Sequence, residues 1–285
     1  MKHLPLLCPN PHLTAKMLIA ALSLSLLAGC ASVPPLGVNR IREQTVVRAD
    51  LPSSLDGYRI AFVSDIHFGN NFSRARLERL IDSINAEKPD CILLGGDDTL
   101  GYRQIAEFAE AASRFQAPEG TYAVLGNHDF YNGRQRSIET LRAAGIIVLD
   151  ESALQTPRGL TVCGISDFTD IFPVMNKLTD ILDKNDFTVL VSHNPDFAEK
   201  ADLSYFDLML SGHTHGGQIT LFGFAPLLPS EYGQKYRTGT VYKDGVPVIV
   251  SNGAGFGGTL LRFRFCAPSD FLLITLRSTA PRSDR

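Results

Sequence analysis

The chain lacks three features that define large protein classes: a basic cluster, a regular cysteine pattern and a long membrane-spanning run. Its formal net charge is -3 and it contains no Lys/Arg run, which argues against nucleic-acid binding. An unbroken, mostly apolar stretch at residues 17–27 is too short to span a bilayer core of about 30 Å comfortably. With 285 residues, of which 44% are apolar, the chain has the composition of a globular protein.

Cysteine is sparse and irregularly spaced. Cys8 and Cys30 belong to the N-terminal segment, and the other three cysteines lie in or beside apolar, strand-like runs. An odd number without regular spacing argues against a disulfide framework, and no pair has zinc-site spacing. We expect Cys91, Cys163 and Cys266 to be small buried hydrophobic residues.

The first 29 residues have the organisation of an export signal. Lys2 and Lys16 precede the apolar stretch, which ends in Leu-Ala-Gly-Cys at Cys30. This ending resembles the lipobox of bacterial lipoproteins, in which the cysteine becomes the acylated first residue. We therefore predict a lipoprotein signal peptide at 1–29; an uncleaved membrane anchor is the alternative.

The predicted export signal implies an organisation for the whole chain. Residues 30–45 are expected to be a tether after acylated Cys30, and residues 46–277 the globular domain. Residues 278–285 are expected to be a disordered tail. The domain would then lie in the cell envelope, lipid-anchored and facing the periplasm or the exterior.

Histidine is used in one way throughout the mature chain. Five histidines remain after the signal, and each follows a short apolar run beside Asp, Asn or Gly: His67, His128, His193, His213 and His215. His213 and His215 are two residues apart, so in an extended segment their side chains face one side, roughly 7 Å apart at Cα. We predict one site assembled from five loops, rather than scattered structural histidines.

The remaining pattern alternates strand, turn and helix. Ser73 is placed to cap a helix whose apolar face recurs at Leu77, Leu80, Ile81 and Ile84. Such alternation is typical of an α/β fold with active residues at strand ends. After Gln218 the pattern changes to strands and loops, which predicts a second, more antiparallel sheet. The strands expected there are Ile219–Phe222, Thr240–Tyr242, Val246–Val250, Leu260–Phe265 and Phe271–Leu276.

The polar strand exits together resemble the calcineurin-like metallophosphoesterase superfamily, over residues 58 to about 275. In chain order they are Asp65-x-His67, Gly96-Asp97, Gly126-Asn127-His128-Asp129, His193 and Gly212-His213-x-His215. Gly-His-Thr-His-Gly-Gly-Gln, with Tyr232-Gly233 and Tyr236 later, is similar to one branch. That branch holds YaeI-like phosphodiesterases and UDP-2,3-diacylglucosamine pyrophosphohydrolases. The resemblance implies an α/β fold: a four-layer α-β-β-α sandwich with two mixed sheets, as in metallo-dependent phosphatases.

The resemblance also implies a dinuclear metal centre. One ion would be held by Asp65, His67 and His215, the other by Asn127, His193 and His213, with Asp97 bridging both. A shared carboxylate offsets the repulsion between two divalent ions about 3.5–4 Å apart. The mix of imidazole and oxygen donors favours manganese, with iron, zinc or magnesium as alternatives.

Two further residues are implied to act on the substrate. His128 would stabilise the transition state or protonate the leaving oxygen, while a hydroxide held between the metals attacks phosphorus. Asp129 would orient the His128 imidazole. Asp98, adjacent to the bridging Asp97, is expected to cap a turn or face solvent rather than to bind metal.

The substrate is the least determined feature. Arg74 and Arg76 would reach a phosphate or simply lie on a solvated helix face, and the apolar loop Phe222–Pro229 would cover the core or contact an acyl chain. We predict a hydrolase of phosphodiester or pyrophosphate bonds in a small phosphoester or lipid-linked phosphate from the envelope. A phosphomonoesterase, or a non-catalytic metal-containing envelope lipoprotein, is the alternative. The sequence leaves the oligomeric state open.

Overall fold

The computed structural model describes residues 36–69, 72–131, 133–166, 175, 177–257 and 263–279. The predicted signal peptide at 1–29, Cys30 and most of the predicted tail, from residue 280, lie outside the described residues. None of the helices in these described ranges is both long and apolar enough to cross a membrane.

Within the described ranges, twelve strands form two six-stranded sheets. In chain order the strands are β1 Arg40–Arg48, β2 Arg59–Val63, β3 Cys91–Leu94, β4 Thr121–Ala123, β5 Ile147–Val148, β6 Ser152–Gln155, β7 Leu160–Ile165, β8 Phe187–Ser192, β9 Leu208–Ser211, β10 Gly239–Lys243, β11 Val246–Val250 and β12 Asp270–Ser278. The first sheet has the order β1-β12-β2-β3-β4-β5 and the second the order β10-β11-β9-β8-β7-β6. Both contain parallel and antiparallel pairs, so the predicted α/β fold with two mixed sheets is confirmed.

Four helices with described bounds belong to the first half of the chain: α1 Arg74–Ala86, α2 Ile105–Ala112, α3 Asn127–Tyr131 and α4 Arg134–Ala143. In α1 the hydroxyl of the N-terminal capping residue, Ser73, accepts a hydrogen bond from the backbone N–H of Arg76. The four apolar residues predicted for its buried face are all fully buried. This helix therefore begins and packs as its sequence pattern predicts.

The core has three layers of apolar contact. One lies between the first sheet and its helices, and includes Leu77 and Phe108. The second lies between the two sheets, where Phe62 of β2 and Leu210 of β9 belong to one buried cluster. The third covers the outer face of the second sheet, where Leu178 joins the cluster. Helical or turn segments thus cover both outer faces of a two-sheet sandwich.

The structure corrects the predicted start of the domain. β1 begins at Arg40, inside the segment 30–45 that was expected to be a tether, and pairs with β12 along its whole length. Its residues Arg-Ile-Arg-Glu-Gln have few apolar side chains, because most positions of this edge strand are exposed or half-buried. A polar edge strand carries little of the hydrophobic pattern by which strands are recognised.

The prediction of a separate, more antiparallel sheet after Gln218 is wrong. β10 and β11 extend the second sheet, in which β7, β8, β9 and β11 are parallel, while β12 joins the first sheet. The segment Ile219–Phe222 forms isolated bridges instead of a strand. Cys266 was also expected to be buried and is exposed, whereas Cys91 and Cys163 are buried as predicted.

Candidate metal centre

The predicted site residues lie at the carboxyl ends of five parallel strands. In the first sheet, Asp65 and His67 follow β2, Asp97 follows β3, and Asn127 and His128 follow β4. In the second sheet, His193 follows β8, and His213 and His215 follow β9. The two edges meet where both carboxylate oxygens of Asp65 accept from the backbone N–H of His213, at 3.1 and 3.0 Å.

Asp65, His67 and His215 form one cluster, as predicted for the first metal. Their ligand atoms all lie within 4.8 Å of one another. The Nε2 atoms of His67 and His215 are 3.2 Å apart, and His215 Nε2 is 3.4 Å from Asp65 Oδ1. All three residues are buried.

In the second predicted set, the structure brings the two histidines together. His193 Nε2 and His213 Nδ1 are 3.2 Å apart. Asn127 lines the same cavity as His213, and its buried Oδ1 has no hydrogen-bond partner among the described residues. An unpartnered buried amide oxygen is costly unless a cation or a ligand pairs with it.

Asp97 lies between the two sets. Its Oδ2 is 3.6 Å from His67 Nε2 and 3.4 Å from His193 Nε2. Its Oδ1 accepts a hydrogen bond from the backbone N–H of His128 at 2.8 Å, which fixes the carboxylate. One carboxylate oxygen therefore faces both imidazole groups, the placement expected of a bridging ligand.

The protonation states of these histidines are compatible with the binding of a divalent metal ion. Burial lowers the pKa of His67, and it lowers the pKa of His215 well below the usual range of a histidine. Both imidazoles are therefore neutral near pH 7. A donor hydrogen bond from His193 Nδ1 to the Gly95 carbonyl, at 2.8 Å, leaves the Nε2 lone pair facing Asp97. Nitrogen lone pairs and carboxylate oxygens that converge in this way form a donor set that could hold a metal ion.

His128 is the second residue of α3 and is half-buried beside this cluster. Its ring lies edge-on to that of His67, with the centroids 4.8 Å apart, and it lines the cavity. The ligand atoms of His67, Asp97 and His128 also lie within 4.8 Å of one another. The position thus suits both action on a substrate and direct metal binding.

Asp129 does not orient His128 as predicted. Its Oδ2 accepts hydrogen bonds from the backbone N–H groups of Asp97, at 2.8 Å, and Gly126, at 3.0 Å, and the side chain is buried. The short helix α3 turns this side chain back towards the loop after β3. Asp129 is therefore a positioning residue for the Asp97 loop.

Asp98 was expected to cap a turn or face solvent, and this is wrong. The side chain is fully buried, and neither carboxylate oxygen has a hydrogen-bond partner among the described residues. Burial, together with the neighbouring carboxylates of Asp129 and Asp97, raises the pKa of Asp98 well above its usual range. Adjacency to Asp97 in the sequence could not reveal this environment.

The two arginines considered for phosphate binding have other partners. Arg74 forms ion pairs with Glu78 and Glu110 on the helix surface, as a solvated helix face would. Arg76 is buried and donates to the backbone carbonyls of Gly37, at 2.7 Å, and Ala254, at 2.9 Å. Both contribute to structure, and neither lines the cavity.

Sequence reasoning missed Arg264. Its guanidinium donates to the carbonyl oxygens of His215, Asn252 and Gly255 at 2.8, 2.6 and 2.6 Å, and lies 3.3 Å from His215 Nδ1. Burial lowers its pKa to about 10. The only signal in the sequence was the presence of two arginines, Arg262 and Arg264, within the otherwise apolar run 260–265. Arg264 supports the loop that carries His215.

A cavity of about 350 Å³ opens onto the cluster. Asp97, Asn127, His128, His213 and His215 line one side of it. The remaining described lining residues are small, polar or apolar: Thr214, Gly217, Gln218, Ile219, Pro226, Leu227, Pro229 and Gly257. A polar, metal-compatible wall and an apolar wall thus share one cavity.

Comparisons with known proteins agree with this geometry. Residues 58–217 match the sequence model of the calcineurin-like phosphoesterase family. An uncharacterized metallophosphoesterase of Aquifex aeolicus (strain VF5) is 30% identical over 252 residues, covering 84% of this chain and 92% of that protein. The uncharacterized metallophosphoesterase YkuE of Bacillus subtilis (strain 168) is 32% identical over 251 residues, with coverages of 83% and 85%. Phosphodiesterase YaeI of Escherichia coli (strain K12) is 33% identical over 187 residues, with coverages of 61% and 68%.

Proposed function

Since this chain belongs to the calcineurin-like phosphoesterase family, we propose that it hydrolyses phosphodiester or pyrophosphate bonds in an envelope or lipid-linked substrate. The observation that carries the proposal is the divided cavity, with the Asp/His cluster on one wall and Pro226, Leu227 and Pro229 on another. The first wall suits a phosphorus centre, and the second suits an apolar substituent attached to it.

The charge of the cavity favours a diester over a monoester. A phosphomonoester carries a charge of about -1.5 to -2 at pH 7, and proteins usually recognise it with Arg or Lys. No Lys or Arg is among the described residues that line this cavity. The relative YaeI, at 33% identity, is named a phosphodiesterase, which supports the same preference.

Seven residues would hold two divalent ions, for which we propose manganese, with iron, zinc or magnesium as alternatives: Asp65, His67, Asp97, Asn127, His193, His213 and His215. When bound, such ions supply Lewis acidity and make a water nucleophilic near neutral pH. Gly95 fixes the His193 ring, and the backbone of His128 fixes Asp97, so the chain presents its donors in one arrangement.

His128 is proposed to assist the departure of the leaving oxygen. It lines the cavity beside the predicted metal ligands, and its backbone N–H donates to Asp97. From this position the imidazole can donate a proton to a leaving alcohol, or a hydrogen bond to the oxygens of the transition state.

The decisive experiment compares bis-p-nitrophenyl phosphate with p-nitrophenyl phosphate, with Mn²⁺ added to the full-length protein. We expect a higher kcat/KM for the diester, loss of both activities with chelator, and recovery with Mn²⁺. Asp97→Ala should lose metal and activity together, because its carboxylate faces both imidazole groups. A preference for the monoester would contradict diester specificity, and no turnover by the metal-loaded protein would favour the non-catalytic lipoprotein.

We also propose that the protein is anchored in the envelope through acylated Cys30, on the basis of Leu-Ala-Gly-Cys at residues 27–30. Cys30→Ser should release the domain from membranes or leave the signal uncleaved. Mass spectrometry of the mature N-terminus provides the test. A first residue other than Cys30, or one without acyl groups, would contradict the anchor.

A further inference from the structure

A tight hairpin turn projects beside the cavity at Leu221–Phe224. Leu221 and Phe224 exchange both backbone hydrogen bonds, at 2.8 and 2.9 Å. The two central residues, Phe222 and Gly223, have φ of 48° and 83°, as in a type I′ turn. The first central position of this turn normally holds Asn, Asp or Gly, and a bulky residue with positive φ is an outlier.

The apolar side chains of this turn are exposed. Phe222 is fully exposed at 108% relative accessibility, Leu227 at 78%, and Leu221 and Phe224 are more than half exposed. The segment Ile219–Pro229 contains no charged residue. A strained, fully exposed aromatic residue at the tip of an uncharged loop is unfavourable in water, which points to an apolar medium as its natural surroundings.

The loop is held rigidly in this exposed position. The side-chain amide of Gln234 accepts from the N–H of Ala225 at 3.0 Å and donates to its carbonyl at 2.8 Å. At the other end, the Thr220 N–H donates to the Phe265 carbonyl at 2.9 Å. The alternative that residues 222–229 cover the core is therefore wrong for Phe222, Phe224 and Leu227, because the loop held by these hydrogen bonds directs their side chains outwards.

The described chain also begins at the edge of the fold that carries the metal centre. β1 is parallel to β12 from the pair Arg40–Asp270, and β12 is antiparallel to β2, so the start of β1 lies near the end of β2. Arg76 joins this region by donating to Gly37 and Ala254, and Ala254 donates to the Ser64 carbonyl at 2.9 Å. The first described residues, from Leu36, therefore lie at this edge of the fold.

The length of that preceding chain limits its reach. Five residues lie between Cys30 and Leu36, so six Cα-to-Cα steps join them. A fully extended chain spans about 3.3–3.6 Å per step, or about 20 Å in all. A lipid on Cys30 would therefore keep the metal-site edge within about 20 Å of the bilayer surface. The loop that carries the hairpin borders the cavity at this same edge, since its residue Leu227 and His213 both line the cavity.

We propose that the segment Ile219–Pro229 is a bilayer-contact element whose Phe222 tip enters the lipid surface. Phe222, Leu221, Phe224 and Leu227 contact acyl chains, and the apolar cavity wall is continuous with that contact. The occupant is a lipid bilayer because the predicted lipid on Cys30 would hold this edge of the fold at a membrane surface, and because the segment has no charged side chain that would have to leave water. The consequence for substrate, a phosphoester drawn from the membrane, rests on the proposed function; the bilayer contact itself does not.

The chain contains no tryptophan, so a single introduced indole reports on one position. We would place Phe222→Trp in the full-length protein and reconstitute it in vesicles of phosphatidylethanolamine and phosphatidylglycerol. Val47→Trp is the matched control, because Val47 is 52% exposed on β1 at the opposite end of the sheet, beside Arg48, which pairs with Asp207. Both variants keep the same N-terminus, so any difference between them comes from the hairpin.

We expect the emission of F222W to shift to the blue on adding vesicles and to be quenched by brominated acyl chains. V47W should show neither effect. Emission of F222W that stays red and unquenched would overturn the bilayer contact. A blue shift without vesicles, or one that brominated lipid fails to quench, would also overturn it, because protein would then cover the tip.

A second measurement tests the consequence for catalysis. Phe222→Ser should leave kcat/KM for soluble bis-p-nitrophenyl phosphate unchanged, since Phe222 does not line the cavity. Turnover of dodecyl p-nitrophenyl phosphate carried in phosphatidylcholine vesicles should fall by about 10-fold, as one aromatic side chain no longer enters lipid. Equal rates of wild type and F222S on the vesicle-borne diester would overturn delivery by the hairpin. If wild type hydrolyses neither diester, the proposed function fails while the F222W result still decides the contact.

Discussion

Five of the seven residues of the candidate metal centre occupy strained backbone positions. Asp65, His67, Asp97, His213 and His215 all have positive φ, between 49° and 67°. Non-glycine residues in this region cost on the order of 1–3 kcal/mol each and persist only where their surroundings hold them. The strain turns each side chain away from the strand direction and into the shared site. Such clustering of outliers at one place is a property of functional sites rather than of ordinary turns.

A single substitution can separate the catalytic role of His128 from metal binding. If the imidazole assists the leaving group, His128→Gln should retain both metals and lower kcat by roughly 10²–10⁴-fold. The loss should be larger for an alkyl leaving group than for p-nitrophenolate, which needs little protonation. Metal content and kcat on two diesters provide the measurement. Loss of metal in this variant would identify His128 as a ligand, and an unchanged kcat with full metal would remove it from the mechanism.

Asp129 should behave differently from His128, because it holds the backbone of Asp97 and Gly126. We expect Asp129→Ala to weaken metal binding by about 10–100-fold, with an unchanged dependence of kcat on the leaving group once metal is saturating. Asp129→Asn keeps an acceptor oxygen and should recover most of the affinity. A metal titration of the three proteins tests this, and normal affinity in the alanine variant would contradict the positioning role.

Among the elements, the loops after β3 and β4 are packed without space between them. A Cβ on Gly126 would overlap the Asp97 carboxylate and lie 2.6 Å from its backbone nitrogen. Gly126 therefore permits the close approach of α3 to the predicted bridging ligand.

This close approach predicts a steric effect on metal binding. Gly126→Ala should displace Asp97 and lower metal affinity and activity by at least about 10-fold. Gly101→Ala is the matched control, because its Cβ would meet only the flexible side chain of Gln104. Calorimetric metal titration of both variants gives the measurement, and equal affinities would show that the loop yields to the added methyl group.

For the whole molecule, the candidate metal centre draws its residues from both sheets. Asp65, His67 and Asp97 follow strands of the first sheet, while His193 and His213 follow strands of the second. A metal that binds only the folded state stabilises it by about 4 kcal/mol at a concentration 1,000 times its Kd.

Chelation should therefore lower thermal stability as well as activity. For a domain of this size, about 4 kcal/mol corresponds to a fall in Tm of roughly 8–16 °C. Asp97→Ala should have a low Tm that chelator does not change further. Scanning calorimetry with and without Mn²⁺ tests this, and a wild-type Tm indifferent to both would mean that metal does not connect the sheets.

Much of the site follows from local sequence. Each of the five histidines ends a short apolar run, and a buried strand must give way to polar residues where it leaves the sheet. The same local logic correctly predicts α1, since Ser73 and the 3.6-residue apolar period act within one helix. Which predicted residue bridges and which bind one metal remains a prediction, although the structure brings all of them to one edge.

The errors share a different origin, namely contacts between residues distant in the chain. Asp129 comes from a separate loop, yet it lies beside Asp98 and holds the backbone of Asp97. Arg264 reaches His215 from 49 positions away. Arg76 lies on the predicted helix, yet its partners, Gly37 and Ala254, come from opposite ends of the domain. A side chain's partner is set by tertiary packing, and no local period encodes it.

The sequence by itself determined the α/β class, the strand exits and the polar residues delivered there, because burial and chain direction act locally on strand and turn residues. Only the tertiary structure decided that β12 enters the first sheet and β11 the second, because strand pairing depends on which long-range register buries the most apolar surface. It also decided the outward aim of Phe222 and the common edge shared by the hairpin, the metal centre and the start of the chain. An apolar loop has the same sequence pattern whether it covers a core or faces a membrane. Its hydrophobicity specifies only that its side chains prefer to leave water, and the fold decides in which direction they point.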